Sequence, residues 1–406
     1  TARKVALIDP GEYRSWPHSK VACTLCHPLA TDFNHGRQEP GDCRQCHTPH
    51  DEKAAHDLHS RVACGACHLQ GIQPFLDGES GGAVLWKRVY RAGETSRIHH
   101  MGGEYDEGAC RRCHEQGNPV GAVSMILPAK GILCMPCHAA TFSAGDMTTV
   151  LSLVVFFLGM VMIFAYALSG TIPGRPGAGP FTKLLVLLGQ AGRALFSPRI
   201  SLVVSAVILD VLLQRRLYRQ SAKRWAIHAM IFFPILIRFS WGLIGLAGSL
   251  WKPEWPWIRA LLDKNHPMTG FLFDVTGIIM VLGLLLAFIR GKGRQAIQPS
   301  GLPRQDRLAL GLMGGIVVVG FILEGIRIAM TGNPVGAGYA FLGYAIGRLF
   351  GQSSALTGVY GYVWYLHAIL TGAFVAYLPF SRLVHIIIAP LILVRKTLAE
   401  GKDKKG

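Results

Sequence analysis

Long apolar runs are distributed unevenly along this chain. The first 147 residues contain none, whereas the remainder contains five, at about 148–168, 226–248, 268–290, 307–330 and 359–380. Each approaches the roughly 20 apolar residues that a helix needs to cross a hydrocarbon core of about 30 Å. A sixth run, 200–213, is shorter and contains Asp210. The pattern predicts an all-α chain with three parts. A front domain with little regular structure covers 1–147, a five-helix transmembrane bundle covers 148–395, and a basic tail covers 396–406. Within the second part, 170–225 is expected to form amphipathic surface helices.

Charge decides whether the sixth run crosses. If the front domain lies outside, five spans place 170–225, 291–306 and 381–406 in the cytoplasm. Those loops, with Arg290 and Arg307 at the span ends, hold 20 Lys+Arg, against 4 in the opposite loops 249–267 and 331–358. Basic residues concentrate on the cytoplasmic side. The bias therefore favours five spans in a bacterial or archaeal cytoplasmic membrane, with the front domain periplasmic or outer and the C-terminus inside. It also explains the net charge of +17, since residues 1–147 hold 15 basic and 16 acidic residues and the rest 26 and 8. No nucleic-acid partner is expected from an excess confined to loops. Trp251, Trp255 and Trp257 in the loop after the second span fit an interfacial aromatic belt.

All ten cysteines belong to one pattern, repeated five times. The motifs are Cys23/Cys26/His27, Cys43/Cys46/His47, Cys64/Cys67/His68, Cys110/Cys113/His114 and Cys134/Cys137/His138, each CxxCH. Two thiols at this spacing can form thioethers to one porphyrin, and the adjacent His then reaches the iron as proximal ligand. A zinc knuckle needs no His after each pair, and a disulfide framework needs neither the spacing nor the His. Five covalent haems c are expected, and the front resembles the multihaem c-type cytochromes of anaerobic respiration. That resemblance implies a small domain built around its haems, with porphyrins supplying much of the apolar core. Haem attachment takes place outside the cytoplasm, so the start at Thr1, with no apolar targeting segment, suggests removal of such a segment.

Seven further histidines lie in the front: His18, His35, His50, His56, His59, His99 and His100. A short repeat, HSKVACTLCH from His18 and HSRVACGACH from His59, marks these two as distal ligands, each for its own or a neighbouring haem. His35, His99 and His100 are the other distal candidates, with His50 and His56 in reserve. The fifth motif has no spare His beside it; Met125 or an open position is the local alternative.

Four histidines remain in the apolar part, where ionisable residues default to functional roles. His367 and His385 are 18 residues apart, about five helical turns or roughly 27 Å along one face. That spacing suits two haems, one per leaflet. His228 and His385 both lie at cytoplasmic span ends and are expected to hold an inner haem b. His367 and His266 are the candidates for an outer one, although His266 could instead serve the fifth haem c or a quinone hydroxyl.

The segments RWAIHAMIFF, FDVTGIIMVLGLLLAFIR, DRLALGLMGGIVVVGFILEGIR and YLHAILTGAFVAYLPFSRLVH resemble the γ-subunit cytochrome b of respiratory nitrate reductases. They are closer still to the cytochrome b subunits of heterodisulfide-reductase-like and sulfite-reduction-linked membrane complexes. The resemblance implies five spans with the N-terminus outside, two haems b, and a quinone site near the outer haem, with menaquinone as the expected type. The family's second His, ten residues after the first, is here Arg238. Arg238, Lys264, Asp274, Glu324 and Arg327 are the polar candidates for a quinone pocket, although Glu324 and Arg327 are spaced to pair with each other. The expected activity is that of a quinol:cytochrome c-type oxidoreductase or its quinone-reactive subunit. Expected partners are the lipid bilayer, a quinone, a periplasmic cytochrome or other redox protein, and further subunits, among them a cytoplasmic iron–sulfur protein.

Overall fold

The computed structural model describes residues 9–27, 43–47, 59, 62–77, 83–89, 107–128, 130–144, 146–171, 177–196, 200–252, 255–293 and 306–403. In the front these form four short helices: α1 (Pro10–Ser15), α2 (Cys23–Cys26), α3 (Cys64–His68) and α4 (Glu107–Arg111). A single antiparallel hairpin joins them, with β1 (Ile72–Asp77) paired to β2 (Ala83–Arg88) so that Phe75 faces Leu85. CxxCH segments coil into one turn each, because two cysteines three apart meet only if the chain bends between them.

The apolar part begins with α5 (Met147–Ser169), whose N-terminus is capped by Asp146 accepting from the Thr149 amide at 2.9 Å. Then come α6 (Pro180–Leu195), α7 (Ile200–Ser205) with a π-helical continuation Ala206–Leu212, and α8 (Arg215–Gln220). They precede α9 (Ala222–Trp251), α10 (Pro256–Leu262), α11 (Pro267–Gly293), α12 (Arg307–Met330), α13 (Phe341–Phe350), α14 (Ala355–Tyr377) and α15 (His385–Asp403). Five stretches are long and apolar enough to cross a membrane: 147–166, 222–251, 256–291, 307–330 and 355–380. The chain is an all-α, multi-pass membrane protein. The sixth run is the short helix of 200–212, which is below spanning length.

The central helix is α12, which packs on α11, α13 and α14. Met313, Val317 and Phe321 meet Met280 and Leu284 of α11 in the main core. Many other apolar side chains face outward, including Leu151, Phe157 and Leu158 of α5, as expected where the surroundings are hydrocarbon.

One expectation is corrected here. His367 and His385 do not lie on one continuous helix. Helix α14 ends at Tyr377, a short 3-10 turn carries Pro379, and Ser381 is extended before α15 opens at His385. Pro379 has no amide proton to continue the helix, and the Ser381 hydroxyl accepts from the Leu383 amide at 3.0 Å to cap the next turn. The 18-residue spacing therefore cannot be read as a helical phase.

The front segment from His114 onward docks on one end of the bundle, termed here the front end. The Ser124 amide donates to the Thr357 carbonyl at 3.0 Å, and the Gly117 amide to the Thr357 hydroxyl at 3.4 Å. Gly121 has φ +65 and would drive a Cβ into the Met330 carbonyl at the end of α12, so both its backbone and its surroundings demand glycine. Met135, inside the fifth motif, and Ala140, just after it, are buried with Leu246 of α9.

Candidate haem and quinone sites

Two imidazoles on opposite faces of one iron need metal–nitrogen bonds of about 2.0 Å each. Adding about 1.1 Å from each nitrogen to its ring centre puts the centres about 6 Å apart. Among the described residues, four histidine pairs face each other near this distance. They are His18–His47 at 5.5 Å, His59–His114 at 6.1 Å, His138–His367 at 6.2 Å and His228–His385 at 6.2 Å. Among the described residues no group of three or more His, Cys, Asp or Glu could hold a bare ion. Pairs rather than clusters suit a metal whose equatorial positions a porphyrin fills. Eight histidines are thereby brought together in a pattern that fits haem.

No disulfide joins any two of the ten motif cysteines. Cys23, Cys26, Cys43, Cys46, Cys64, Cys67 and Cys110 are exposed, and only Cys113, Cys134 and Cys137 are partly buried. The reason is local: each motif is a single turn, too short to cover its own thiols. In the second motif the Cys46 and His47 amides both donate to the Cys43 carbonyl, at 3.2 and 2.9 Å, and Cys46 stays at the surface. Cys67 of the third motif lies near Cys113 of the fourth, where two attachment sites approach each other. His27 ends the first motif with its amide donating to the Cys23 carbonyl at 2.8 Å and its Nδ1 buried.

Each repeat histidine faces the proximal histidine of another motif. His18, nine residues ahead of His27, faces His47 of the second motif instead. Their Nε2 atoms are 3.3 Å apart, somewhat closer than the roughly 4 Å that an intervening iron requires. His59 faces His114 of the fourth, and the His114 Nδ1 lies 2.7 Å from the Val123 carbonyl. A carbonyl acceptor takes the Nδ1 proton and leaves Nε2 as the metal-binding atom. Arg112 binds the third and fourth motifs together by donating to the Ala66 and Leu69 carbonyls at 3.3 and 2.6 Å. His35, His50, His56, His99 and His100 lie outside the described residues. Met125 packs its sulfur against Gly361 on α14.

At the far end of the bundle, His228 on α9 and His385 on α15 come together as the sequence predicts. Both Nδ1 atoms have acceptors: the Gln214 amide oxygen at 3.0 Å for His228, and the Arg382 carbonyl at 2.7 Å for His385. Each ring is thus held with Nε2 toward its partner. Gln214 was not foreseen. It sits in the left-handed region at φ 55, directly after the π-helical turn, and is buried. Asp210 fixes this corner by accepting from Arg215 at 3.0 Å and Arg216 at 3.1 Å, and Arg216 also reaches Thr397 of α15. Burial raises the Asp210 carboxyl, but the two guanidinium hydrogen bonds outweigh it and leave the group below its ordinary value.

Gln214→Leu removes the acceptor for His228 Nδ1 while keeping similar bulk. We expect it to weaken haem b retention about 10-fold, the low end for a lost supporting contact to a metal-binding histidine. Transfer of haem from the purified chain to apomyoglobin measures this, and an unchanged transfer rate would show that Gln214 plays no part.

At the front end the sequence pairing is corrected. His367 on α14 faces His138 of the fifth CxxCH motif, not His266. His266 instead lies just before α11, with a buried Nδ1 that has no hydrogen-bond partner among the described residues. Phe273 stacks on the His138 ring at 5.9 Å and 15°. Arg238 lies over the Phe273 ring at 5.0 Å, donates to the Thr276 hydroxyl at 2.8 Å, and bonds the Phe273 carbonyl. Burial pushes the His138 imidazole well below its ordinary value, and Lys264, Lys130, His367 and Arg238 act in the same direction.

The polar candidates separate into two roles. Asp274 is built into the fold, because it accepts from the Leu342 amide at 2.5 Å and the Gly343 amide at 3.4 Å at the start of α13. Lys264 instead lies beside His138 and His367, with Lys130 of the front segment in hydrogen-bond contact with it and Glu324 and Arg327 close to it. Glu324 lies 3.9 Å from Arg327, which donates to Asn265 at 2.6 Å. Burial also lowers the Lys130 ammonium. Lys130 was not singled out in the sequence because it lies in the front, far from any span.

Residues 237–399 match the family described as nitrate reductase gamma subunit. Curated relatives include one of the subunits of dihydromethanophenazine:CoB–CoM heterodisulfide reductase. The protein of Methanosarcina acetivorans is 23% identical over 63% of this chain and 91% of its own length. That of Methanosarcina thermophila is 23% identical over 47% and 66%, and that of Methanosarcina barkeri 24% identical over 47% and 66%. The matches to the latter two thus span just under two thirds of those relatives. No solved structure matches the chain.

Proposed function

Because the membrane half of this chain carries a domain of the nitrate reductase gamma-subunit family of membrane cytochromes b, we propose that it moves electrons between a membrane quinone and c-type haems outside the membrane. The observation that carries this reading is the series of facing imidazoles, from His228–His385 at the far end, through His138–His367, to the pairs in the front. Bound haems would supply one-electron ferric/ferrous chemistry; the chain contributes their order, their ligands and the exclusion of water. The loop charges, twenty basic residues against four, support an outer position for the front.

A quinol gives up two electrons and two protons, so its site needs hydrogen-bonding groups beside the first electron acceptor. Lys130 and Lys264 supply donors of this kind next to His138 and His367, and the Glu324 carboxylate and Arg327 lie beside Lys264. The same groups serve electron flow in the opposite direction, with quinone reduced and protons taken up.

The test is anaerobic mixing of the oxidised, purified complex with a menaquinol analogue. The c-type haems should become reduced, and Lys264→Ala should slow that reduction about 10-fold or more, a loss typical of one removed proton-handling or charge-stabilising group. Reduction by dithionite should be unchanged. Failure of every quinol tried would contradict the reading.

One observation favours a second reading. The His228–His385 pair lies beside basic Arg215, Arg216, Arg219, Lys223 and Arg224, a surface fit for an acidic partner. The relatives are named as one subunit of a larger reductase. A cytoplasmic iron–sulfur subunit docked there would make this chain its membrane anchor and conduit.

A further inference from the structure

We infer that the haem attached at Cys134 and Cys137 is itself the front-end membrane haem, bound between His138 and His367. No second haem b then occupies this end of the bundle. The inference deepens the proposed function and rests on the same reading of CxxCH as a haem attachment site.

Three observations carry it. First, His138 and His367 stand 6.2 Å apart with their rings at 60°, almost the geometry of His228 and His385 at 6.2 Å and 61°. Both pairs match the roughly 6 Å that two imidazoles on one iron require. A haem between His367 and any other residue would have to displace His138 from this position.

Second, the fifth motif is set into the bundle rather than presented on the front. Cys134 and Cys137 are partly buried, whereas seven of the other eight motif cysteines are exposed. The backbone at His138 and Ala139 lies against Gly242 of α9, where a Cβ would come within 2.8 Å of the His138 carbonyl. Met135 and Ala140 are buried against Leu246 of the same helix. A porphyrin tethered at these cysteines is therefore committed to the space between α9 and α14.

Third, the α9 side chain facing this space cannot ligate. Arg238 is a permanently charged guanidinium with no lone pair to offer, and it is held by Thr276 and Phe273. Its charge lies near Cys137 and can offset a propionate or a ferric centre. His138 thus supplies from the front segment the ligand that α9 does not.

Coordination would then join front and bundle through one iron. An electron leaving the membrane would pass directly onto a covalently held haem, with no docking step between separate proteins.

His367→Gly and His367→Met in the full chain, purified from membranes, test this. With His367→Gly, digestion and mass spectrometry should still find haem on the Cys134–Cys137 peptide, and b-type absorption should be unchanged. About one haem in six should turn from low-spin to high-spin and bind carbon monoxide, and added imidazole should restore the low-spin form. His367→Met should keep that haem six-coordinate at a raised potential, which also shows that the fold tolerates substitution. Loss of b-type absorption, or no change of spin state, would overturn the inference. A Cys134–Cys137 peptide without haem in the wild type would overturn the attachment reading itself, a distinct failure visible before any variant is made.

Discussion

His228→Ala and His385→Ala should each abolish the b-type absorption of the purified chain and leave the c-type band in place. The two rings come from helices distant in sequence, face each other at 6.2 Å, and have their Nδ1 atoms fixed by Gln214 and the Arg382 carbonyl. A non-covalent haem held by two such ligands loses half of its coordination when either is removed. Since both act on one iron, the double variant should look like either single one, the non-additivity expected of groups that act as a unit. A reduced-minus-oxidised spectrum reads the result. If each substitution removes only part of the b-type signal, and the losses add, the rings serve different haems.

Gly242→Val should have the second largest effect, and at a different place. Its Cβ would stand 2.8 Å from the His138 carbonyl oxygen and 3.0 Å from the Ala139 amide nitrogen. Both are backbone atoms that cannot swing aside as a side chain would. Overpacking of this kind costs about 1–3 kcal/mol. The strain falls on the turn that sets His138 against His367, so a high-spin c-type signal should appear while the b-type band stays normal. Quinol-driven reduction of the c haems should slow with it. Unaltered spectra and reduction kinetics would show that the fifth motif is not seated on α9 as described.

Much of this architecture is legible in the sequence because two constraints act locally. Hydrocarbon requires long apolar helices, which exposed five spans and rejected the 200–213 run. Covalent haem attachment requires fixed Cys and His spacing, which is why the sequence alone proposes ten attachment cysteines and five proximal histidines. The His228–His385 pairing followed from depth alone, since both residues lie at span ends on the same side. What escaped depends on contacts between distant segments. Depth pairs His367 with His266, since both lie toward the outer ends of their spans, whereas its neighbour belongs to a motif 229 residues earlier. The arginine at 238, where a histidine was expected, is the one signal that could have pointed there. Gln214 carries no pattern at all: its role comes from a left-handed backbone after a π-helical turn. The spacing of His367 and His385 misled in another way, because the chain breaks at Leu378–Val384 between them.

The central claim is that the haem-bearing front and the membrane bundle share one haem at their junction, with a separate haem b at the far end. A pyridine haemochrome spectrum of the purified, full-length chain tests it most directly by counting c-type against b-type haem. The ligand pairs predict about five to one. A ratio of about five to two would put a second haem b in the bundle and contradict the shared junction, and an absence of haem b would remove the far-end site.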